Sequence, residues 1–109
     1  MPLLRLALLC LALGACAAPA FAAETVAATC NRLAANSDDV DYKGKGTPFD
    51  RIDVAQAEPA CRKALSENPD DRHLMYTLGR VLWKKEDYPG TIATVRAVAR
   101  YVGDLLAQN

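Results

Sequence analysis

Cysteine, histidine and aspartate are the side chains of this chain equipped for chemistry, and their spacing decides which chemistry is open. Asp38, Asp39 and Asp41 could offer oxygens to calcium, but they lack the spacing of an EF-hand loop and no closing Glu follows. They read as a solvated turn. Lys43-Gly44-Lys45-Gly46-Thr47 has the glycines and hydroxyl of a phosphate loop without its G-K-[ST] ending or a preceding strand. His73 is the single histidine. General acid–base work needs an acid or nucleophile within hydrogen-bond reach, and the sequence places none beside it. A lone histidine at a helix start reads as exposed. No catalytic residue, metal ligand or cofactor is therefore expected, and the chain reads as a non-enzyme.

The thiols depend on compartment. Met1 to Arg5 is a short positive start, Leu6 to Leu13 an apolar run, and Ala20-Phe21-Ala22 a small-residue cleavage site, the three parts of a secretory signal. The run falls short of the about 20 strongly apolar residues of a membrane span. Leu13-Gly14-Ala15-Cys16 offers a competing exit, a lipoprotein box in which Cys16 would be lipidated; an uncleaved anchor is the third reading. All three place the domain outside the cytoplasm, periplasmic or secreted, with membrane contact only if lipidated at Cys16. Cleavage after residue 22 leaves Cys30 and Cys61. In an oxidising compartment such a pair reads as a disulfide; two separate buried thiols are the alternative. Closing a loop of about 30 residues would stabilise by about 3–4 kcal/mol.

Removing residues 1–22 from 109 leaves 87, one small domain for which a staple matters. Its 12 Lys and Arg (13 less Arg5) face 13 Asp and Glu, which argues against nucleic acid. Helical spacing appears in Glu24 to Ala35, then again from Asp53, where Asp53-Val54-Ala55-Gln56 resembles a capping box, to about Glu67. Residues 36–52 carry no periodicity and read as a loop, with Phe49 and Ile52 expected to pin its far end to the core. Pro59 is expected inside the second helix, past its first turn. Asn68-Pro69-Asp70-Asp71 ends that helix and caps the next, which spans about Arg72 to Lys85 with Leu74, Leu78, Val81 and Leu82 as its packed stripe. The fourth runs from Pro89 to about Tyr101, with Ile92, Val95, Val98, Ala99 and Val102 inward and Gly103 as its break. Four helices with short antiparallel connections make an all-α domain of stacked hairpins.

Ala57, Ala64, Pro69 and the Leu78-Gly79 pair sit in one 34-residue frame, and residues 49–103 on these positions resemble tetratricopeptide and Sel-one-like repeats. With Cys30-x-x-Leu33-Ala34, the phrase Phe49-Asp50-x-Ile52-Asp53 is similar to the lead-in of secreted bacterial repeat proteins. The resemblance implies about two stacked helical hairpins over residues 23–109, with 36–52 as an insertion and a Cys30–Cys61 bond across the first pair. It implies repeat packing through Ala57, Ala64, Pro69, Leu78 and Gly79. Met75 stands where the family has Trp, Leu82 where it often has Tyr, and Thr91 and Val98 replace two small alanines.

The family's inner surface falls on His73, Tyr76, Thr77, Arg80, Trp83 and Lys84, an aromatic and basic strip suited to an extended peptide with acidic groups. The function so implied is an exported protein- or peptide-binding adaptor. The alternative is a structural or accessory domain, the lead-in of a larger secreted repeat protein or enzyme. Repeat arrays need about three units with polar caps, so two units leave the fourth helix to be covered by further chain, a partner or a second copy.

Overall fold

The computed structural model of the chain describes residues 23–108. The signal sequence expected at 1–22 and the alternative lipidation expected at Cys16 lie outside the described residues. Four α-helices follow one another, α1 (Val26–Ala34), α2 (Val54–Glu67), α3 (Arg72–Lys84) and α4 (Tyr88–Ala107), with one 3-10 turn at Phe49–Arg51. There is no strand among the described residues. The fold is all-α, built of stacked helical hairpins.

Each helix begins on an oxygen-bearing cap that satisfies an orphan backbone N–H. Thr25 accepts from Ala28 N, Asp53 from Gln56 N, Asp71 from Leu74 N and Asp87 from Gly90 N. Pro59 stands inside α2, which continues unbroken past it. The α2–α3 turn is tight because Asn68 bonds back to the Ala64 carbonyl through both its backbone N and its side-chain amide, each at 3.0 Å. At the α3–α4 turn Glu86 takes φ 65°, the left-handed conformation that glycine adopts more cheaply at a helix end. Asp87 N then reaches the Leu82 carbonyl at 2.9 Å.

The core lies between α1, α2 and α3. Cys30, Ala34, Ile52, Ala57, Cys61, Ala64, Leu74, Leu78, Val81 and Leu82 form it. Ala34, Ala57 and Ala64 are fully buried, and their small side chains let the helices approach closely. The closest approach is covalent: Cys30 and Cys61 sulfurs lie 2.11 Å apart, with Cα atoms 4.7 Å apart. The disulfide joins α1 to α2.

Residues 36–52 are a loop that folds back on α1. Thr47 donates from its backbone N to the Ala35 carbonyl at 2.9 Å and from its hydroxyl to the Arg32 carbonyl at 2.7 Å. Gly46 is required by this seam, because a Cβ there would sit 1.7 Å from the Ala35 carbonyl oxygen. Ile52 pins the far end to the core as expected, whereas Phe49 stays at the surface, edge-on to Trp83.

The fourth helix differs from its expectation in two ways. It does not stop near Tyr101 but runs 20 residues, through Gly103, to Ala107. One glycine in a helix interior costs about 1 kcal/mol, too little to end a helix, and Gly103 does not adopt the positive φ of a terminating turn. The residues expected inward are also largely outward. Thr91 is the buried residue of α4, Val98 is half-buried, and Ile92, Val95, Ala99 and Val102 are exposed. The helix packs along α3, and its apolar face projects past that contact with no third layer over it among the described residues.

Candidate interaction surface on the third helix

The six residues of the expected strip all stand on α3, yet the helix divides them between two environments. His73 and Thr77 are buried beneath α1 and the 36–52 loop. His73 Nδ1 lies 2.7 Å from Asp39 Oδ2, and Nε2 lies 2.6 Å from Asn31 Oδ1. Tyr42 stacks on the imidazole, ring centroids 5.2 Å apart and planes 17° off parallel. An imidazolium would donate to both oxygens; a neutral ring is satisfied if Asn31 turns its amide nitrogen inward. Either way the histidine is a rivet holding the loop to two helices.

Thr77, His73 and Asp39 have the order of a nucleophile, base and orienting acid. The geometry withholds that use. Thr77 is fully buried, its hydroxyl donates to the His73 carbonyl at 2.8 Å, and it stands 3.4 Å from the ring nitrogen that Asn31 already engages.

The cations of the strip are held by the loop as well. Arg80 donates to the carbonyls of Ala34 and Thr47, satisfying the end of α1, and burial pulls its pKa down from the ordinary guanidinium value. Lys84 donates to the Asp50 carbonyl at 3.3 Å and lies over the Phe49 ring, 5.5 Å from its centroid. Beside them Arg72 forks onto Asp41, with both contacts 2.7 Å. The Arg72 hydrogen bonds hold the Asp41 carboxyl below the usual carboxylate range. On the far side of the hairpin, Lys85 does the same for Glu58, with a smaller part from Arg62.

Tyr76 and Trp83 are the two strip residues presented to solvent, 42% and 60% exposed. They open onto a groove between α3 and α4 of about 670 Å³. Met75, Gly79 and Arg80 continue its α3 wall, Val95, Val98 and Ala99 its α4 wall, and Phe49 closes one side. Gly79 sets the width at the crossing, since a Cβ there would come within 2.8 Å of the Thr94 hydroxyl. The lining is almost wholly apolar, with Trp83 and Tyr76 as rigid aromatic edges of the type that anchors interfaces.

Sequence reasoning found α3 but not the partition of its faces. It did not find Asn31 of α1 or the loop residues Asp39 and Tyr42 that cover His73, nor the α4 wall of the groove. The Asn36-Ser37-Asp38-Asp39 turn carried part of the first signal, since an aspartate near a helix-start histidine in space is a natural rivet. The β-branched run of α4 carried the second. The packing positions Ala57, Ala64, Leu78 and Gly79 lie at helix contacts, and Pro69 lies in the α2–α3 turn. Among the described residues there is no cluster of three or more metal-ligating side chains, and no helix is long and apolar enough to cross a membrane.

No protein-family model matches the chain, and no solved structure matches it. A stretch of 38 residues, 35% of the chain, is 53% identical to the heat-inducible transcription repressor HrcA of Streptomyces albus G. That stretch covers 11% of the repressor, so the chain spans about a tenth of the curated relative it matches.

Proposed function

We propose that this chain is an exported helical-hairpin adaptor that binds a protein or peptide and performs no chemistry of its own. The observation that carries this reading is the apolar α3–α4 groove with Tyr76 and Trp83 exposed at its edge. Aromatic side chains held on a helix give large contact area at low entropic cost, which is how binding surfaces concentrate their energy. The bonded Cys30–Cys61 pair supports a periplasmic or secreted location, because such bonds persist in oxidising compartments. The buried His73 and Thr77 support a structural use for the one base–hydroxyl pair near the site. The resemblance of residues 49–103 to tetratricopeptide and Sel-one-like repeats supports the same class of function.

A second reading is an accessory domain within a larger secreted repeat protein or enzyme. The uncovered apolar face of α4 favours it, because a following hairpin would bury that face. Pull-down from a periplasmic extract with Trp83→Ala and Tyr76→Ala tests the first reading. Loss of the same partners from both variants, at unchanged helicity, supports the groove; retention of every partner by both contradicts it. A native reading frame continuing into further hairpins would select the second.

A further inference from the structure

Along α4, Ile92, Val95, Ala99, Val102 and Leu106 repeat at steps of three, four, three and four residues, the spacing of a helix–helix seam. All five are exposed. The seam runs beside the α3–α4 groove and shares Val95 and Ala99 with it. We infer that this face is covered by the same face of a second copy of the chain, the two α4 helices crossing antiparallel at Ala99.

The inference rests on reading the groove as a recognition surface, and three observations select the occupant. The first is area. Tyr76, Trp83, Ile92, Val95, Val102 and Leu106 expose 38–71% of themselves. At about 150–250 Å² per large side chain they present roughly 600 Å² per copy, the contribution each partner makes to the smaller stable interfaces.

The second is self-complementarity. An antiparallel crossing centred on Ala99 sets Ile92 against Leu106 of the second copy and Val95 against its Val102, with the smallest side chain at closest approach. Arg96, beside the seam, falls opposite Gly103 of the second copy, where a missing side chain leaves room: a Cβ there would meet nothing within 4 Å. Because α4 walls the groove, one two-fold axis covers the seam and the groove of both copies together.

The third is charge. The cations that would draw an acidic peptide onto α3 are already engaged, Arg72 by Asp41, Arg80 by two carbonyls, Lys84 by the Asp50 carbonyl and Lys85 by Glu58. What remains open along the groove and seam is apolar, with Arg96 and Arg100 at its border, and an apolar seam fits another apolar seam.

Sedimentation velocity of the purified full chain, from micromolar to sub-millimolar, tests this. A monomer–dimer equilibrium is expected. Val95→Glu places a charge from each copy in the seam and should weaken association by about 100-fold, with unchanged far-UV circular dichroism. With Cys10 and Cys16 replaced by Ser, Ala99→Cys should form a covalent dimer under mild oxidation. Ala93→Cys, exposed but outside the repeating seam, should not. A monomer across the range, a dimer indifferent to Val95→Glu, or cross-linking at position 93 in place of 99 would each overturn the inference. A monomer that still loses its partners on Trp83→Ala would overturn self-pairing alone and leave the groove reading intact.

Discussion

The two flanks of α3 are finished in opposite ways. On one, the chain closes its own surface: the 36–52 loop lays Asp39, Tyr42 and Thr47 over α3, α1 adds Asn31, and the disulfide fixes α1 to α2. Polar groups there find partners, and no buried side-chain nitrogen or oxygen among the described residues lacks one. On the other flank α4 contributes 20 residues of helix and buries one of them. Local rules, a cap and a hydrophobic period, make both flanks helical. A layer to cover the helices decides whether the apolar face becomes core or contact surface. The sealed flank is where stability resides, and the open flank is where another molecule can act.

Perturbations should therefore fall unequally. Replacing both Cys30 and Cys61 by Ser should have the largest effect, about 2–5 kcal/mol of lost stability, read as a lowered denaturation midpoint. His73→Leu should come next. It leaves the half-buried Asp39 and Asn31 without their partner, which costs about 1–3 kcal/mol, and the 36–52 loop should become sensitive to proteolysis. Gly79→Leu works at the border between the flanks: its side chain must displace Thr94, for a loss of about 1–3 kcal/mol from overpacking, with partner binding in the groove reduced as well. Val95→Glu should change the stability of the dilute protein by less than about 0.5 kcal/mol, because the open flank contributes little to the isolated fold. A large loss there would break the comparison.

The smallest effect is the acid limb. The carboxyls of Asp41 and Glu58 are held below their ordinary values by Arg72 and Lys85. A depressed carboxyl stabilises the fold above its unfolded pKa, and that contribution is lost as pH falls through the lowered folded value. Asp41→Asn should flatten the loss of stability at the acid end while leaving neutral stability nearly unchanged, since exposed pairs contribute little.

Much of the sealed flank is legible in the sequence. The Asp53 and Asp71 caps, the Leu74–Leu78–Val81–Leu82 stripe and the pairing of Cys30 with Cys61 all follow from local spacing or from cysteine arithmetic. The loop cover does not, because its contacts join residues 31 and 39 to residue 73, and no period links them. His73 illustrates the gap: alone in the sequence it reads as exposed, and only the returning loop buries it. The α4 seam fails for a different reason. Its apolar period predicts an inward face, but Ile92, Val95, Ala99 and Val102 are exposed, because a period does not say whether another element lies over it. Gly103 reads as the break of α4, yet the helix runs through it, because its cost is smaller than the gain of continuing the turns around it.

Hydrogen exchange measured at low and high protein concentration tests the division between the flanks most directly. The account predicts that amides of α1, α2 and α3 are strongly protected at every concentration. Residues 88–107 should exchange faster when dilute and gain protection as concentration rises, with residues 36–52 unchanged. Equal protection of α4 and α3 in dilute solution, or a concentration-dependent change confined to 36–52, would contradict it.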